Sequence, residues 1–107
     1  MRKRSHFARH QRMTVALCRL TLRLPENSSL KGKRMVVKSI QQRLHNRFNV
    51  SVAEVEHNDK WQLAGIHIAA VANSATHATE VLDKAVDYIQ QLRLDVEIIE
   101  EDTELLD

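Results

Sequence analysis

The sequence predicts an α+β fold in which one antiparallel sheet of four strands carries two helices on one face. Apolar residues recur at helical spacing in two long stretches, and they alternate with polar residues in the segments around those stretches. In order, the segments are strand, helix, strand, strand, helix and strand, which is the ferredoxin-like arrangement. Right-handed crossovers place the first and third strands in the centre of the sheet and the second and last at its edges.

The first strand is predicted from Met13 to Leu24, and it leads into the clearest helix of the chain. Alternate apolar residues of the strand are expected to face the helices: Ala16, Cys18, Leu20, Leu22 and Leu24. Pro25 ends the strand, and Ser28 or Ser29 is a suitable N-cap for a helix that continues to Phe48. The packing side of this helix is predicted to hold Leu30, Val36, Val37, Ile40, Leu44 and Phe48.

The second half of the chain supplies the remaining strands and the second helix. Strands are predicted at residues 50–56 and 61–72, joined by a hairpin turn at residues 57–60. The third strand is expected to turn Ile66, Ile68 and Ala70 towards the core. A helix over residues 75–92 packs through Ala78, Val81, Leu82, Ala85, Ile89 and Leu92. The last strand is predicted over residues 95–101.

Length and composition predict one domain, over residues 13–102, between two polar ends. The chain has 107 residues, enough to bury a core without disulfides or a structural metal. Residues 1–12 read as a flexible basic arm, with Met13 as an alternative start, and residues 103–107 as an acidic tail. The single cysteine, Cys18, cannot form an internal disulfide, so a reducing cytoplasmic compartment is expected. No apolar run approaches the roughly 20 residues that span a bilayer, so no membrane contact is expected.

Charge is divided unequally between the two halves of the chain. Residues 1–53 carry a net charge of +12 and residues 54–107 carry −10. Such a division indicates either a basic surface for a polyanion or pairing between strands from the two ends. We name the face of the sheet that carries no helix the open face. On it, Arg19 and Arg23 are expected to form cross-strand pairs with Glu97 and Glu101.

The candidate binding residues are the cations of the first helix, which contains no acid. Lysine and arginine neutralise phosphates without reading sequence, and a helix N-terminus adds backbone donors. The predicted RNA- or anion-binding set is Lys31, Lys33, Arg34, Lys38, Arg43 and Arg47. The alternative is a solvated face that only keeps the protein soluble.

The sequence offers no residue on which catalysis or metal binding can be predicted. Its six histidines form no i, i+4 pair within a predicted helix, and no two of its acids are predicted to lie in environments that would separate their pKa values. No enzyme activity, cofactor, metal site or small-molecule substrate is therefore predicted. Base stacking is also not expected, because the open face offers no aromatic platform. The residues predicted on the open face of the sheet are Arg19, Thr21, Gly65, His67 and Ala69.

A second interpretation assigns the chain to protein interaction rather than to RNA. An exposed edge strand can pair with a second copy or with a partner protein. Acids on the last strand discourage pairing there, which leaves the second strand as the better edge for a homodimer.

Three stretches carry a resemblance to a known family: LRLPENSSLKGKRMVVKSI, RFNVSVAEVEHNDKWQLAGIHIAAV and ATEVLDKAVDYI. From Met13 to about Glu100, the chain resembles the YlxP-like family, a domain of unknown function (503) in small bacterial proteins. The resemblance implies a ferredoxin-like fold. It also implies a genomic neighbourhood often shared with a transcription elongation factor, a translation initiation factor and ribosome-binding factor A. It implies no catalytic residue, and it favours RNA or a ribosomal particle as partner.

Overall fold

The computed structural model describes residues 13–55, 60–92 and 95–106. In chain order the elements are β1 (Thr14–Arg23), α1 (Leu30–Arg47), β2 (Ser51–Val55), β3 (Leu63–Ala72), α2 (Ala75–Leu92) and β4 (Glu97–Leu106). The strands lie in the order β2-β3-β1-β4 and every neighbouring pair is antiparallel. The predicted α+β, ferredoxin-like fold is confirmed, with β2 and β4 at the edges. The predicted basic arm and most of the predicted hairpin turn lie outside the described residues.

The core lies between the sheet and the two helices, as the apolar periodicity predicts. The four β1 residues expected to face the helices, and Leu24 just after β1, are at most 2% exposed, and so are Ile66, Ile68 and Ala70 of β3. The helices bury their most central apolar residues, which are Val37, Ile40 and Leu44 of α1 and Ala78, Leu82, Ala85, Val86 and Ile89 of α2. The other predicted packing residues are half-buried at the margin of this core.

Helix α1 begins at an internally satisfied cap. Ser29 is the N-cap, one of the two serines predicted, and its Oγ accepts a hydrogen bond of 2.9 Å from the backbone N–H of Gly32. At the other end, the N–H of Phe48 donates to the carbonyl of Leu44 at 2.8 Å. The side-chain amide of Asn27 donates to the carbonyls of Ser29 and Trp61, which ties the entrance of α1 to the start of β3.

Strand β4 differs from its prediction in both length and facing. It pairs with β1 as far as Val15 opposite Leu106, so residues 103–106 belong to the strand and not to an acidic tail. The register shifts between Thr21 and Leu22, where β4 carries an additional residue. After this bulge Glu101 lies opposite Leu20, on the side that faces the helices. The expectation that Glu101 pairs with an arginine of the open face is therefore wrong.

Candidate functional site

The six cations predicted as one binding set are divided among three locations on α1. At about 100° per residue, positions separated by three or four lie on one line along a helix. Lys31, Arg34 and Lys38 form such a line on the exposed side, and we name these three residues the basic stripe. Arg43 and Arg47 form a second exposed line on the flank near α2. Lys33 lies on the buried side.

The basic stripe has no acidic partner in the described part of the chain. Within residues 13–55, 60–92 and 95–106, no carboxylate lies within ion-pair distance of Lys31, Arg34 or Lys38. Helix α1 itself contains no acid. Three positive charges therefore project from one side of α1 over about 10 Å of helix length.

The cations of β1 are arranged differently, because they face the acids of β4. Arg19 Nη1 lies 3.1 Å from Asp102 Oδ2, and its Nη2 lies 2.5 Å from Glu104 Oε1. The hydrogen bond to Glu104 raises the pKa of Arg19 above its usual value. Arg23 Nη1 lies 3.9 Å from Glu97 Oε2, as predicted for that pair. Part of the charge division is therefore pairing between strands from the two ends of the chain, and the cations of the basic stripe take no part in it.

Lys33 does not belong to an exposed binding surface. Its residue is 1% exposed, and its Nζ lies 3.9 Å from Oε2 of Glu54 on β2. The four-carbon stem packs on the buried side of α1 with Val37 and Ile40, since these residues follow at helical spacing. The structure therefore removes Lys33 from the surface that a polyanion can reach, although its charge was predicted to contribute to an anion site.

The predicted anion site at the start of α1 also loses part of its backbone component. The N–H of Gly32 is already bonded to Ser29 Oγ, and the N–H of Lys33 is bonded to the carbonyl of Ser29. The side chains of Lys31 and Arg34 remain exposed at this end. Any anion held here would be bound mainly by side-chain charge.

Arg47 takes part in a contact that the sequence did not indicate. Its Cζ lies 4.8 Å from the centroid of the Tyr88 ring on α2, and the Phe48 ring meets the same tyrosine edge-on, with 5.7 Å between centroids. A cation over an aromatic face is stabilised by the ring quadrupole. No local signal could have found this cluster, because its members come from different parts of the chain.

The open face of the sheet has the composition that the alternation predicted. The register places Arg19, Thr21, Gly65, His67 and Ala69 on this face. In the part of the face that the structure describes, no aromatic side chain provides a stacking platform. Trp61 precedes β3 and is 54% exposed, so its side chain lies outside the core.

Reactive and metal-binding side chains do not form a second site among the described residues. Cys18 is fully buried, as predicted, and burial raises the pKa of its thiol above the usual value, which disfavours the nucleophilic thiolate. No three histidine, cysteine or acidic side chains within 13–55, 60–92 and 95–106 come together in an arrangement that could hold a metal ion. None of the described helices is both long and apolar enough to span a membrane.

Comparison with known proteins identifies the chain by family and fold. A family model described as "Protein of unknown function (DUF503)" matches residues 15–103. The "Uncharacterized protein YlxP" of Bacillus subtilis (strain 168) is 41% identical over 61 residues, covering 57% of this chain and 66% of that protein. The match thus spans just under two thirds of that relative's length. The family description and the relative's name assign no catalytic activity.

One solved structure supports the fold independently. The "De novo designed protein Foldit4" aligns with a TM-score of 0.51 and 14% identity, over 90% of this chain and 98% of the designed chain. At that identity the similarity concerns the fold alone, because a shared fold does not imply a shared function.

Proposed function

The chain belongs to the DUF503 family of proteins of unknown function, and we propose that it is a non-catalytic, cytoplasmic RNA-binding module that acts through the basic stripe. One observation carries the proposal: the arginines of β1 are paired with acids of β4, whereas the stripe cations have no carboxylate nearby among the described residues. Unpaired cations release condensed counterions when they contact phosphates, and this release favours binding.

The geometry of the stripe favours contact with the RNA backbone rather than with bases. Lys31 and Lys38 are seven residues apart, which is about 10 Å along a helix. This length matches about three nucleotides of a stacked strand at roughly 3.4 Å each. The proposed ligand is therefore a phosphate backbone, and the genomic neighbourhood implied by the family resemblance favours ribosomal RNA as its source.

The test is fluorescence polarisation of a labelled single-stranded RNA, measured against salt concentration. The full chain is used with its five arm cations (Arg2, Lys3, Arg4, Arg9 and Arg12) replaced by glutamine, so that the arm does not add its own binding. For three phosphate contacts, log affinity should fall with log salt at a slope of about −2.

A charge-matched pair of variants locates the binding site. Arg34→Glu combined with Lys38→Glu reverses two stripe cations, and Lys60→Glu combined with Lys84→Glu reverses two exposed cations elsewhere. We expect the first variant to lose the RNA affinity and the salt slope, and the second to retain most of both. Equal losses would show that net charge alone attracts RNA, and absence of binding at physiological salt would reject the proposal.

The edge of β2 supports a second candidate function, a protein-interaction module. Among the described strands β2 pairs with β3 on one side only, so its other edge is open to β-augmentation. Val52 turns its side chain towards the helices, so Val52→Pro alters the edge without changing the open face. Loss of self-association or partner binding in a folded Val52→Pro variant would support this candidate.

A further inference from the structure

The open face of the sheet has an apolar end that no described helix covers. In the register, Val15 of β1 lies between Val71 of β3 and Leu106 of β4. These three residues form what we name the apolar row. Val71 is 57% exposed and Leu106 is 42% exposed, and in the next row Leu17 and Ala69 lie between Glu104 of β4 and Ser51 of β2. Both helices pack against the opposite side of the sheet, so these apolar side chains meet water in the isolated chain.

The other end of the open face is polar, and both of its arginines are paired with acids of the same chain. Arg19 is held by Asp102 and Glu104, and Arg23 lies beside Glu97. A polyanion would find no unpaired arginine on this face among the described residues. The described part of this face carries four acids against two arginines, because Glu100 of β4 also lies on it, opposite Thr21. All four acids lie on the edge strand β4, so two copies of the face meet with little like-charge repulsion when their β4 strands lie at opposite edges of the contact.

The size of the face is sufficient for a specific contact. Three strands of ten residues and one of five make up the sheet. At about 3.3 Å per residue and about 4.8 Å between strands, one face covers roughly 550 Å². Two faces in contact would bury on the order of 1,100 Å². This area exceeds the roughly 1,000 Å² that a biological interface is expected to bury, and it is larger than most crystal contacts.

We propose that the open face of the sheet is the interface of a symmetric dimer of this chain. A two-fold axis parallel to the strands places the apolar row of one copy on the apolar row of its partner and overlaps the two faces completely. An axis across the strands would instead set the apolar end against the polar end. In the proposed dimer, helix α1 of each copy faces outward, so the basic stripe stays accessible and the dimer does not depend on the proposed RNA binding.

The test is sedimentation equilibrium of the full chain over about a hundredfold range of concentration, since dimerisation follows mass action. Val71→Lys and Leu106→Lys each place a charge in the apolar row at a partly exposed position, so folding should be retained. Met35→Lys is the matched control, because Met35 is 65% exposed on α1 and lies away from the open face. Circular dichroism confirms that each variant is folded.

We expect the wild-type chain to dimerise and each row variant to raise the dimer dissociation constant at least about tenfold, because a buried unpaired charge is costly. Met35→Lys should leave the constant unchanged. The proposal is overturned by a wild-type chain that is monomeric throughout, or by a dimer that survives both row variants. A dimer broken by Val52→Pro but not by the row variants would assign the interface to the β2 edge instead.

Discussion

Lys33 Nζ lies 3.9 Å from Glu54 Oε2, and this pair joins the buried side of α1 to the edge strand β2. The two ends of the pair differ in their access to water. The Lys33 side chain is 2% exposed, whereas the Glu54 side chain is 27% exposed. Removing one member of a buried ion pair is costly when the charge left behind cannot be hydrated. The two single substitutions should therefore have unequal effects on stability.

We predict that Glu54→Gln lowers the free energy of unfolding by about 2 kcal/mol, because it removes a negative charge from beside the buried Lys33 ammonium. Lys33→Met should cost less than about 1 kcal/mol, since methionine fills a similar volume and Glu54 can turn towards water. Urea unfolding measures both, with Lys31→Met as the exposed control on the same helix. Equal losses for the two substitutions would contradict this account.

A second prediction concerns the two exposed lines of cations on α1. Arg34→Gln with Lys38→Gln and Arg43→Gln with Arg47→Gln each remove two positive charges. The first pair should make the salt slope of RNA binding shallower by about 1.4, the value for two lost phosphate contacts. The second pair should change it by less than half as much, because Arg47 is held over Tyr88 and lies away from the stripe. A larger change in the salt slope for Arg43→Gln with Arg47→Gln than for Arg34→Gln with Lys38→Gln would place the RNA site on the flank near α2.

Gly32 and Asn27 provide a third prediction, in which the usual sign of a substitution reverses. Replacing glycine by alanine within a helix normally stabilises by about 0.5 to 1 kcal/mol. At Gly32 an added Cβ would overlap Asn27 Oδ1, displacing the side chain that holds the carbonyls of Ser29 and Trp61. Gly32→Ala should therefore destabilise the chain by about 1 kcal/mol, roughly the contribution of a lost hydrogen bond.

A double-mutant cycle separates this clash from other effects of Gly32→Ala. In an Asn27→Ala background the obstructing amide is absent, so Gly32→Ala should become neutral or stabilising. Urea unfolding of the four chains gives the coupling energy. Destabilisation of the same size in both backgrounds would show that the Asn27 contact is not its cause.

The fourth prediction is a pH dependence of stability that originates at Cys18. Burial raises the pKa of its thiol in the folded chain above the usual value of 9.0. The folded state then retains a proton that the unfolded state releases, so the contribution to stability is present below about pH 9 and is lost as pH rises towards the folded pKa. In urea unfolding between about pH 8 and 10, the wild-type chain should lose more stability than Cys18→Ala. Parallel curves for the two chains would contradict the prediction.

Local periodicity was sufficient to predict most of the architecture. The strand faces of β1 and β3, the packing side of α2 and the cap at Ser29 follow from the spacing of side chains along one element. The edge positions of β2 and β4 follow from the order of elements and the handedness of crossovers. Such features need no knowledge of which residues meet across the fold.

Two features of β4 could not be obtained in that way. The bulge near Thr21 reverses the facing of β4, so Glu101 moved to the helix side, and a single extra residue leaves no clear mark on a run of acids. The extension of β4 to Leu106 depends on pairing with β1. Lys33 did carry a signal, since it precedes Val37 by four residues and Ile40 by seven, which places it on the packing side of α1.

The sequence by itself therefore determined the ferredoxin-like fold, the composition of its core and the presence of many cations on α1, because periodicity and charge are local properties. Only the tertiary structure decided which of the described cations are paired with acids. Arg19 and Arg23 are paired because β4 lies beside β1, and Lys33 is buried against Glu54 because β2 passes beneath α1. An ion pair depends on distances between elements, and those distances are set by packing rather than by spacing along the chain.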